Sequence, residues 1–484
     1  MLLSALADWI SGEASLVGDD VDISDVTHDS RLVKPGDLFV AVRGYETDGH
    51  RYLGDAIASG AAALGVEEAA RTDTPQLVVA DTRTALGPLA AAVHGEPSRK
   101  IPVIGVTGTN GKTTVTHLIE GIVEAAGLTP GVIGTVGARI AGMSVAVPRT
   151  TPEASDLQRL LDQMVAAGVD VAAIEVSSHA LALHRVDGTW FAVGAFTNLM
   201  QDHLDFHGDM ETYFATKRQL FSATRVGRAV VAVDDAAGRA IADSAEVPVT
   251  TTAVHNDAQL TAADIATTMD GSSFTIVTPE GSYAASIPLP GAFNVENALV
   301  AAAVAREIGI GEQAIVAGLA QVGAIPGRFE AVAVGQPFGV VVDYAHTPDA
   351  VEAVVASARQ ITNGRVIAVI GAGGDRDREK RPAMGSAAAA ADLAVITSDN
   401  PRSEDPVAII ADVVAGVPPG ADAITEPDRR TAIRRALDSA GDADLVLILG
   451  KGHEQGQEIG DTVVPFDDRL VAAEELSAIT GVGT

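Results

Sequence analysis

The chain has no cysteine, so disulfide bonds, thiolate metal sites and a cysteine nucleophile are excluded. Aromatic residues make up only 4% of the 484 residues, which leaves alanine, valine, isoleucine and leucine to build the core, as buried parallel strands favour. No run of twenty apolar residues occurs, and the N-terminus lacks the basic region of a signal peptide. We therefore expect a soluble, cytoplasmic protein with no membrane-inserted segment.

Positive charge is also scarce. Lysine and arginine together number 33 against 64 acidic residues, which gives a formal net charge of −31. This balance argues against nucleic acids and acidic membranes as partners, because both are polyanions. Lysine occurs only at positions 34, 100, 112, 217, 380 and 451. An anionic small molecule would need positive charge that is concentrated locally at its site.

One glycine-rich segment is the most informative part of the chain. Residues 105–115 read Gly-Val-Thr-Gly-Thr-Asn-Gly-Lys-Thr-Thr-Val, between a β-rich run (101–107) and a helical run (112–126). Backbone N–H groups of such a loop can wrap phosphate oxygens, Lys112 can reach the β- and γ-phosphates, and the Thr113 hydroxyl can bind Mg²⁺. Val106 stands where the strict pattern has its first glycine. An ordinary glycine-rich turn is the alternative, but strand, loop, lysine and tandem threonines together favour an ATP or GTP site.

The chain length and the alternation of strands with helices predict about three domains of α/β class with parallel sheets. Polar, Pro/Gly-containing segments at 95–100 and 325–329 are the candidate domain boundaries. A helix is predicted over 155–168, with Thr150 and Glu153 as a capping box, and the alanine run 387–391 also predicts helix. Further strands are predicted at 169–176, 191–198, 229–233, 339–344, 365–371, 393–397 and 445–449.

Polar motifs stand directly after these strands. They are the glycine loop and the segments 175–179, 197–203, 343–346, 373–377, 398–402 and 450–454. Open α/β sheets bind ligands at the carboxyl ends of their strands. The central and C-terminal sheets are therefore each expected to present a functional edge, and the simplest arrangement has the two edges facing each other across a cleft.

Glu175 and His203 are the candidate metal ligands near the loop. Mg²⁺ prefers oxygen ligands and keeps several waters, so Glu175 suits it better than His203 does. A capping or ion-paired carboxylate and a hydrogen-bonded turn histidine are the alternatives. His203 and His207 have the spacing of a zinc pair, but Leu204 stands where zinc proteases have glutamate, which argues against zinc hydrolysis. Arg402 is suited either to bidentate binding of a carboxylate or to a surface salt bridge.

Taken together, these motifs resemble the Mur ligases, the ATP-dependent amide-forming enzymes of peptidoglycan precursor synthesis. The resemblance covers nearly the whole chain and rests on residues 29–41, 105–114, 175–179, 202–208, 294–297 and the C-terminal motifs. It implies three domains, namely an N-terminal UDP-binding α/β domain (1–98), a central P-loop ATPase domain with a mainly parallel sheet (99–327) and a C-terminal Rossmann-like domain for an incoming amino acid (328–484).

The resemblance also implies roles for individual residues. The UDP end of a UDP-muramoyl-dipeptide would be held by Ser30, Gly44, Tyr45 and Glu46, and its dipeptide by Thr150, Thr151, Ser177 and Arg185; Leu183 stands where some members have glutamine. ATP would be bound by Gly108, Thr109, Asn110, Gly111, Lys112, Thr113, Thr114, Asn297, Arg328 and Asp343. Mg²⁺ would be held by Thr113, Glu175, His203 and Lys217, the last matching a lysine that the family carbamylates with CO₂. The implied catalytic residues are Lys112, Lys217, His203 and Glu175.

The segment 399–402 resembles the motif of family members that use meso-2,6-diaminopimelate. The implied diaminopimelate contacts are Arg376, Asp399, Asn400, Pro401, Arg402, Gly450 and Glu454. The expected reaction joins diaminopimelate to UDP-N-acetylmuramoyl-L-alanyl-D-glutamate through an acyl phosphate, in a protein that is expected to be a monomer with small-molecule substrates. Addition of L-lysine or L-ornithine is the alternative within the family, and a nucleotide-dependent switch or binding module is the alternative outside it.

Overall fold

The computed structural model describes residues 1–10, 12–44 and 47–480, and its three main sheets follow one another along the chain. Each sheet contains parallel strands that are flanked by helices, so the predicted α/β class is confirmed. In the described part of the chain, no helix combines the length and the apolar character that a membrane crossing requires.

The first sheet has five strands: Ala14–Val17 (β1), Asp25–Thr27 (β2), Asp37–Val40 (β3), Ala63–Val66 (β4) and Gln76–Val79 (β5). Their order is β1-β5-β4-β3-β2, and only the β1–β5 pair is antiparallel. The accompanying helices are Leu3–Leu6 (α1), Leu53–Ala58 (α2), Thr82–Val93 (α3) and Pro97–Lys100 (α4). Leu3, Leu38, Leu77 and Leu86 belong to the buried core of this unit.

The second sheet has eleven strands: Val103–Thr107 (β6), Pro130–Gly134 (β7), Gly137–Ile140 (β8), Met143–Val145 (β9), Val171–Glu175 (β10), Phe191–Phe196 (β11), Val226–Ala232 (β12), Val249–Ala253 (β13), Leu260–Thr268 (β14), Gly271–Thr278 (β15) and Gly281–Ile287 (β16). Their order is β16-β15-β14-β13-β12-β11-β6-β10-β7-β8-β9. Pairing is parallel from β14 to β7 and antiparallel at both edges.

Eight helices accompany this sheet in the described residues: Lys112–Ala125 (α5), Ala154–Ala166 (α6), Ser178–Ala182 (α7), Leu204–His207 (α8), Met210–Arg218 (α9), Ala236–Ser244 (α10), Ala292–Glu307 (α11) and Glu312–Gln321 (α12). The register pairs Glu175 with Val106 and Phe196 with Thr107. The carboxyl ends of β10, β6 and β11 therefore lie side by side, and the glycine loop leaves the sheet between them.

The third sheet contains Glu330–Ala331 (β17), Gly339–Asp343 (β18), Val366–Ile370 (β19), Leu393–Ile396 (β20), Ala423–Thr425 (β21) and Leu445–Leu449 (β22). Their order is β17-β18-β22-β19-β20-β21, parallel except at β17. A separate hairpin follows, formed by Gly456–Ile459 (β23) and Thr462–Pro465 (β24). The helices of this unit are Pro348–Ile361 (α13), Lys380–Ala388 (α14), Pro406–Val414 (α15), Arg429–Ser439 (α16) and Asp468–Thr480 (α17).

Two local predictions are wrong. Glu153 is itself the residue before α6 and makes no capping bond with its side chain, so the predicted capping box is absent; Thr150 instead lies 3.1 Å from the Thr135 hydroxyl. The alanine run does not continue as helix to 391, because α14 ends at Ala388. The predicted domain bound at 98/99 falls within α4, between the first two sheets, and the bound at 327/328 falls between α12 and β17; both stay predictions.

Candidate active site

The glycine loop connects β6 to α5. Gly108 and Gly111 have φ angles of +145° and +85°, conformations that glycine adopts without strain. The loop is anchored to the residues after β11, because the N–H of Thr109 donates to the Asn198 carbonyl and the N–H of Asn110 to its side-chain oxygen, both at 2.9 Å. A Cβ on Gly111 would lie 2.2 Å from Asn297 Oδ1, so α11 packs directly on the loop.

Two lysines converge on one carbonyl of this loop. The Nζ atoms of Lys112 and Lys217 donate to the Gly108 carbonyl at 3.0 and 2.8 Å. Lys217 is buried and lies 4.5 Å from the centre of the Tyr213 ring. Burial lowers the pKa of both lysines, and the charge of Lys112 lowers that of Lys217 further. The arrangement therefore concentrates positive charge where phosphate oxygens would lie and makes the Lys217 amine unusually easy to deprotonate.

Glu175 ends β10 and points toward the loop region. Its carboxylate accepts hydrogen bonds from the N–H and the hydroxyl of Thr135, both at 2.9 Å. Gly134 is required for this approach, since a Cβ there would lie 2.2 Å from Glu175 Oε1. The Thr151 hydroxyl donates to the Glu175 carbonyl at 2.7 Å, which brings the segment before α6 to the same place.

Asp202 connects the central and C-terminal units. Its carboxylate lies 3.3 Å from His203 Nε2, 3.6 Å from His346 Nε2 and 3.3 Å from Lys380 Nζ. Burial acts to raise the pKa of Asp202, but the His346 hydrogen bond and the nearby positive charges hold it well below its usual range. Desolvation lowers the pKa of His203 to about 3, so its imidazole is neutral at physiological pH and keeps a lone pair for a metal ion.

A first cavity, which we call the α11–α13 cavity, lies beside the loop. Its lining combines loop residues with an apolar side: Asn110, Gly111, Thr114, Asn198, Phe293, Asn297, Arg328, Asp343, Tyr344, Ala350 and Val354. Both oxygens of the buried Asp343 accept backbone N–H groups, from Phe329 and Ala345, at 2.7 Å. Asp343 thereby fixes the segments that carry Arg328 and Tyr344, and the mixture of loop donors and apolar wall suits a nucleotide.

Two further cavities extend from the loop toward the third sheet. The loop cavity is lined by Lys112, Thr113, Glu175, Ser177 and Lys217, among others. The C-terminal cavity is lined by Arg376, Asp399, Asn400, Arg402, Gly450 and Glu454, together with Gly371 to Gly373. Both cavities share Asp202, His203, Tyr344 and His346, and the α11–α13 cavity shares Tyr344. The structure thus brings Lys112 and Arg402 to adjoining cavities, which join at these shared residues.

The lining of the C-terminal cavity is held by a polar network. The buried Lys451 donates to Asn400 Oδ1 at 3.1 Å and to Glu454 Oε2 at 2.8 Å, and the Asn400 amide also donates to Glu454 at 2.8 Å. Arg402 Nη1 donates to the Gly374 carbonyl at 2.8 Å. Pro401 is buried and does not line the cavity; its carbonyl leaves no room for a Cβ on Gly374.

The residues expected to hold a muramoyl-dipeptide are only partly brought together. Thr150 and Ser177 line the loop cavity, and Thr151 donates to the Ser177 hydroxyl at 3.3 Å. Arg185 instead donates to Glu153 at 3.0 Å. Ser30 begins a short 3₁₀ helix after β2 and Gly44 follows β3, and neither lines any of these three cavities. Tyr45 and Glu46 lie outside the described residues.

The donor chemistry near the loop fits a magnesium ion that is shared with phosphate. In residues 1–10, 12–44 and 47–480, no group of three or more His, Asp or Glu side chains could hold a metal alone. Mg²⁺ is commonly held by one or two carboxylates together with substrate phosphates and waters. Thr113, Glu175 and His203, which all line the loop cavity, supply that kind of partial ligand set.

Sequence reasoning did not assign roles to several residues of the site. They are Thr135, Asp202, Tyr213, Phe293, Tyr344, His346, Lys380, Lys451 and Gln457. Asp202, Tyr344, His346 and Lys451 stand in the motifs that follow strands, so position after a strand was a usable signal. Thr135 directly follows β7, a strand that was not predicted, and Lys380 carries no such signal, since its partner Asp202 is distant in sequence.

Known proteins share both the sequence and the fold. Family models match residues 22–105 (Mur ligase family, catalytic domain), 106–305 (Mur ligase middle domain) and 327–452 (Mur ligase, glutamate ligase domain). The chain is 47% identical over 477 residues to the UDP-N-acetylmuramoyl-L-alanyl-D-glutamate–2,6-diaminopimelate ligase of Streptomyces avermitilis, an alignment that covers 96% of this chain and 94% of that protein.

Solved structures agree with these matches. A structure of UDP-N-acetylmuramoyl-L-alanyl-D-glutamate–2,6-diaminopimelate ligase superposes with a TM-score of 0.68 at 33% identity, covering 95% of each chain. The MurF ligase from Thermotoga maritima in complex with ADP superposes with a TM-score of 0.66 at 18% identity, covering 94% of this chain and 96% of that one, and shows the same fold. The chain belongs to the Mur ligase family.

Proposed function

We propose that this protein is an ATP-dependent ligase that adds meso-2,6-diaminopimelate to UDP-N-acetylmuramoyl-L-alanyl-D-glutamate in peptidoglycan precursor synthesis. The observation that carries the proposal is the junction of the loop cavity with the C-terminal cavity at Asp202, His203, Tyr344 and His346. A nucleotide switch would not need the second cavity. Relatives named for this reaction support the proposal over nearly the full length of the chain.

In the first step, the γ-carboxylate of the D-glutamyl residue attacks the γ-phosphorus of ATP. A bond forms between a carboxylate oxygen and phosphorus, the bond to the ADP oxygen breaks, and an acyl phosphate results. Lys112 and the loop N–H groups neutralise and orient the phosphates. A magnesium ion held by Thr113, Glu175 and His203 would supply further charge neutralisation at the phosphates.

In the second step, the incoming amine attacks the acyl carbon. The ammonium group first loses one proton to water and becomes the attacking amine. A C–N bond then forms, the C–O bond breaks so that inorganic phosphate leaves, and the nitrogen loses a second proton to the phosphate or to water. Asp202 lies at the junction of the two cavities and is ionised, so it attracts the ammonium form of the substrate to this place. No nucleophilic side chain is needed, which agrees with the absence of cysteine.

Lys217 is proposed to carry a CO₂-derived carbamate. Only the neutral amine reacts with CO₂, and burial beside Lys112 favours that form. A carbamate would replace the buried amine with an anionic oxygen ligand for Mg²⁺. We expect CO₂-depleted buffer to lower activity and bicarbonate to restore it in the wild type, whereas Lys217→Ala should respond to neither treatment. Equal activity of the wild type with and without CO₂ would contradict the modification.

Arg402 is proposed to select diaminopimelate by pairing with its distal carboxylate, which lysine and ornithine lack. A charge-assisted pair of this kind contributes about 2–3 kcal/mol, enough for a discrimination of about 30- to 150-fold. Arg402→Ala should therefore lose kcat/KM for diaminopimelate and leave the KM for ATP nearly unchanged. Unchanged kcat/KM for diaminopimelate in this variant would defeat the assignment.

The decisive experiment measures ADP release with and without the UDP-muramoyl-dipeptide and each candidate amino acid. A ligase turns over only when both acceptors are present, whereas a switch releases ADP without them. Separate reactions with diaminopimelate, lysine and ornithine identify the third amino acid. ADP release that needs neither acceptor would overturn the proposed function.

We further propose the domain bounds 1–98, 99–327 and 328–484, with UDP, ATP and amino-acid binding in that order. A monomer is proposed because the three adjoining cavities are lined by one chain. We place the reaction in the cytoplasm, where ATP is available.

A further inference from the structure

We propose that Glu458, on the hairpin after the third sheet, is a positioning residue that sets the specificity of the ligase for diaminopimelate. Its carboxylate lies 2.6 Å from Arg402 Nε. The inference rests on the proposed function, because it concerns how Arg402 is presented to the distal carboxylate of that substrate.

The hairpin supports the whole loop that carries Arg402. The N–H of Arg402 donates to the Glu458 carbonyl at 3.0 Å, and the N–H of Gly460 donates to the Arg402 carbonyl at 2.8 Å. The N–H of Glu458 donates to Asn400 Oδ1 at 3.0 Å, and the Gln457 amide donates to the Asp399 carbonyl at 2.6 Å. Arg402 itself has a φ of +51°, which is unusual for a non-glycine residue and is held by these contacts.

The hydrogen-bonding capacity of Arg402 shows what Glu458 contributes. A guanidinium has five N–H donors in a fixed plane. The Glu458 carboxylate forms an ion pair with Nε, and one Nη1 hydrogen is donated to the Gly374 carbonyl. These two contacts restrict the guanidinium, while the other Nη1 hydrogen and the Nη2 group have no hydrogen-bond partner among the described residues. That remaining pair is the one that binds a carboxylate end-on.

The space beside the guanidinium is narrow, which also restricts the orientation of the Arg402 side chain. A Cβ on Gly373 would lie 3.1 Å from Arg402 Nη1, so the side chain passes close to this backbone. Without the Glu458 carboxylate, the guanidinium would lose its ion-pair partner at Nε and would turn more freely about its long side chain. The substrate carboxylate would then have to order it at a cost in binding.

Glu458 also neutralises part of the Arg402 charge. This weakens the attraction between Arg402 and the substrate carboxylate, so it opposes the gain in binding that positioning gives. The Glu458 side chain is 45% exposed, so the charge effect is weakened by solvent. Glu458→Gln keeps a side-chain oxygen that can contact Nε and removes the charge, whereas Glu458→Ala removes both. The two variants therefore separate positioning from neutralisation.

The test is steady-state kinetics of Glu458→Ala and Glu458→Gln with diaminopimelate and with lysine, at saturating ATP and UDP-muramoyl-dipeptide. We expect Glu458→Ala to raise the KM for diaminopimelate about five- to tenfold and to lower the preference over lysine by a similar factor. The KM for ATP and kcat should change less than about twofold, and Glu458→Gln should restore most of the preference.

Asp461→Ala is the matched control, because it removes an exposed carboxylate from the turn of the same hairpin. A KM for diaminopimelate that is unchanged or lowered in Glu458→Ala would overturn the positioning role, as would an equal loss in Glu458→Gln. If the wild type did not use diaminopimelate in the same assay, the proposed function would fail and this inference with it. Thermal melting of each variant identifies an effect that comes from unfolding.

Discussion

The central unit meets its two neighbours in different ways. Toward the N-terminal unit, charged side chains pair directly: Arg159 contacts Asp25, His94 contacts Asp162, and Arg83 contacts Glu153 at 2.6 Å. Toward the C-terminal unit, the interface contains the adjoining cavities and is bridged mainly at their edges, for example by Lys380 and Asp202. The first interface is closed by ion pairs, whereas the second leaves room for substrates. We therefore expect residues of the first to act on stability and residues of the second on catalysis.

Lys112 should show the largest effect, confined to catalysis. Lys112→Ala removes the cation that faces the phosphates, and we expect kcat/KM to fall on the order of 10³-fold or more. The unfolding midpoint should stay close to that of the wild type, because the lysine bonds only to carbonyls of its own loop. The measurement is ADP release together with urea unfolding. Lys100→Ala, which changes an exposed lysine, is the control and should retain full activity.

Arg159→Ala should show the reverse of Lys112→Ala, namely a loss of stability without a comparable loss of catalysis. Arg159 donates to both oxygens of Asp25, to the Val26 carbonyl and to Asp156. Arg159→Ala removes these hydrogen bonds at a half-buried interface, while His94 and the Val26 N–H still contact Asp25, and we expect a loss of about 2 kcal/mol in the free energy of unfolding. Urea unfolding followed by fluorescence reports this loss, because Trp9 and Trp190 lie in the N-terminal and central units. A fall in kcat without a fall in stability would contradict the division between the two interfaces.

Sequence reasoning succeeded where a local rule decides the structure. The strand–loop–helix around Lys112 follows from its glycines and the buried run before it, and the motifs after β10, β11, β18, β20 and β22 do lie at strand ends. The antiparallel strands β14 to β16 were not predicted. β14 is partly exposed over most of its length and is rich in threonine, so it lacks the continuous apolar run that marks a buried strand.

The parts of the site that could not be predicted depend on contacts between distant segments. Glu153 was expected to cap α6, but Arg83 from the other unit and Arg185 bind its carboxylate instead. Lys380 reaches Asp202 across 178 positions of sequence. Spacing along one element carries no information about such partners, because they are set by how the units pack.

The two interfaces should also respond to pH in opposite directions. Burial acts to raise the pKa of Asp25, but hydrogen bonds from His94 and Arg159 hold it well below its ordinary 3.8, so its stabilisation is present above pH 4 and is lost as the pH falls. Burial raises the pKa of Glu296, which lines the α11–α13 cavity, to about 7. The folded protein therefore binds an extra proton there between pH 4.5 and 7, and stability falls as the pH rises through this range.

Urea unfolding between pH 2 and 8 tests both signs. Glu296→Gln should remove the loss that the wild type shows between pH 5 and 8, an effect on the order of 1 kcal/mol or more. Asp25→Asn should reduce, by a similar amount, the fall in the free energy of unfolding that the wild type shows below pH 5. If Glu296→Gln kept the wild-type slope above pH 5, the raised pKa would be wrong.

Gln201→Ala should have the smallest effect on stability of these variants. Together with Arg159→Ala, it gives the most direct comparison of the two interfaces. The Gln201 amide donates to Asp377 across the second interface, at a long 3.4 Å. Gln201→Ala should change the free energy of unfolding by less than about 0.5 kcal/mol, since a long and partly solvated hydrogen bond is worth little. Arg159→Ala, measured alongside, supplies the larger loss at the first interface. If Gln201→Ala destabilised the protein as much as Arg159→Ala, the second interface would be held by its direct contacts after all, and the cavities would not be its defining feature.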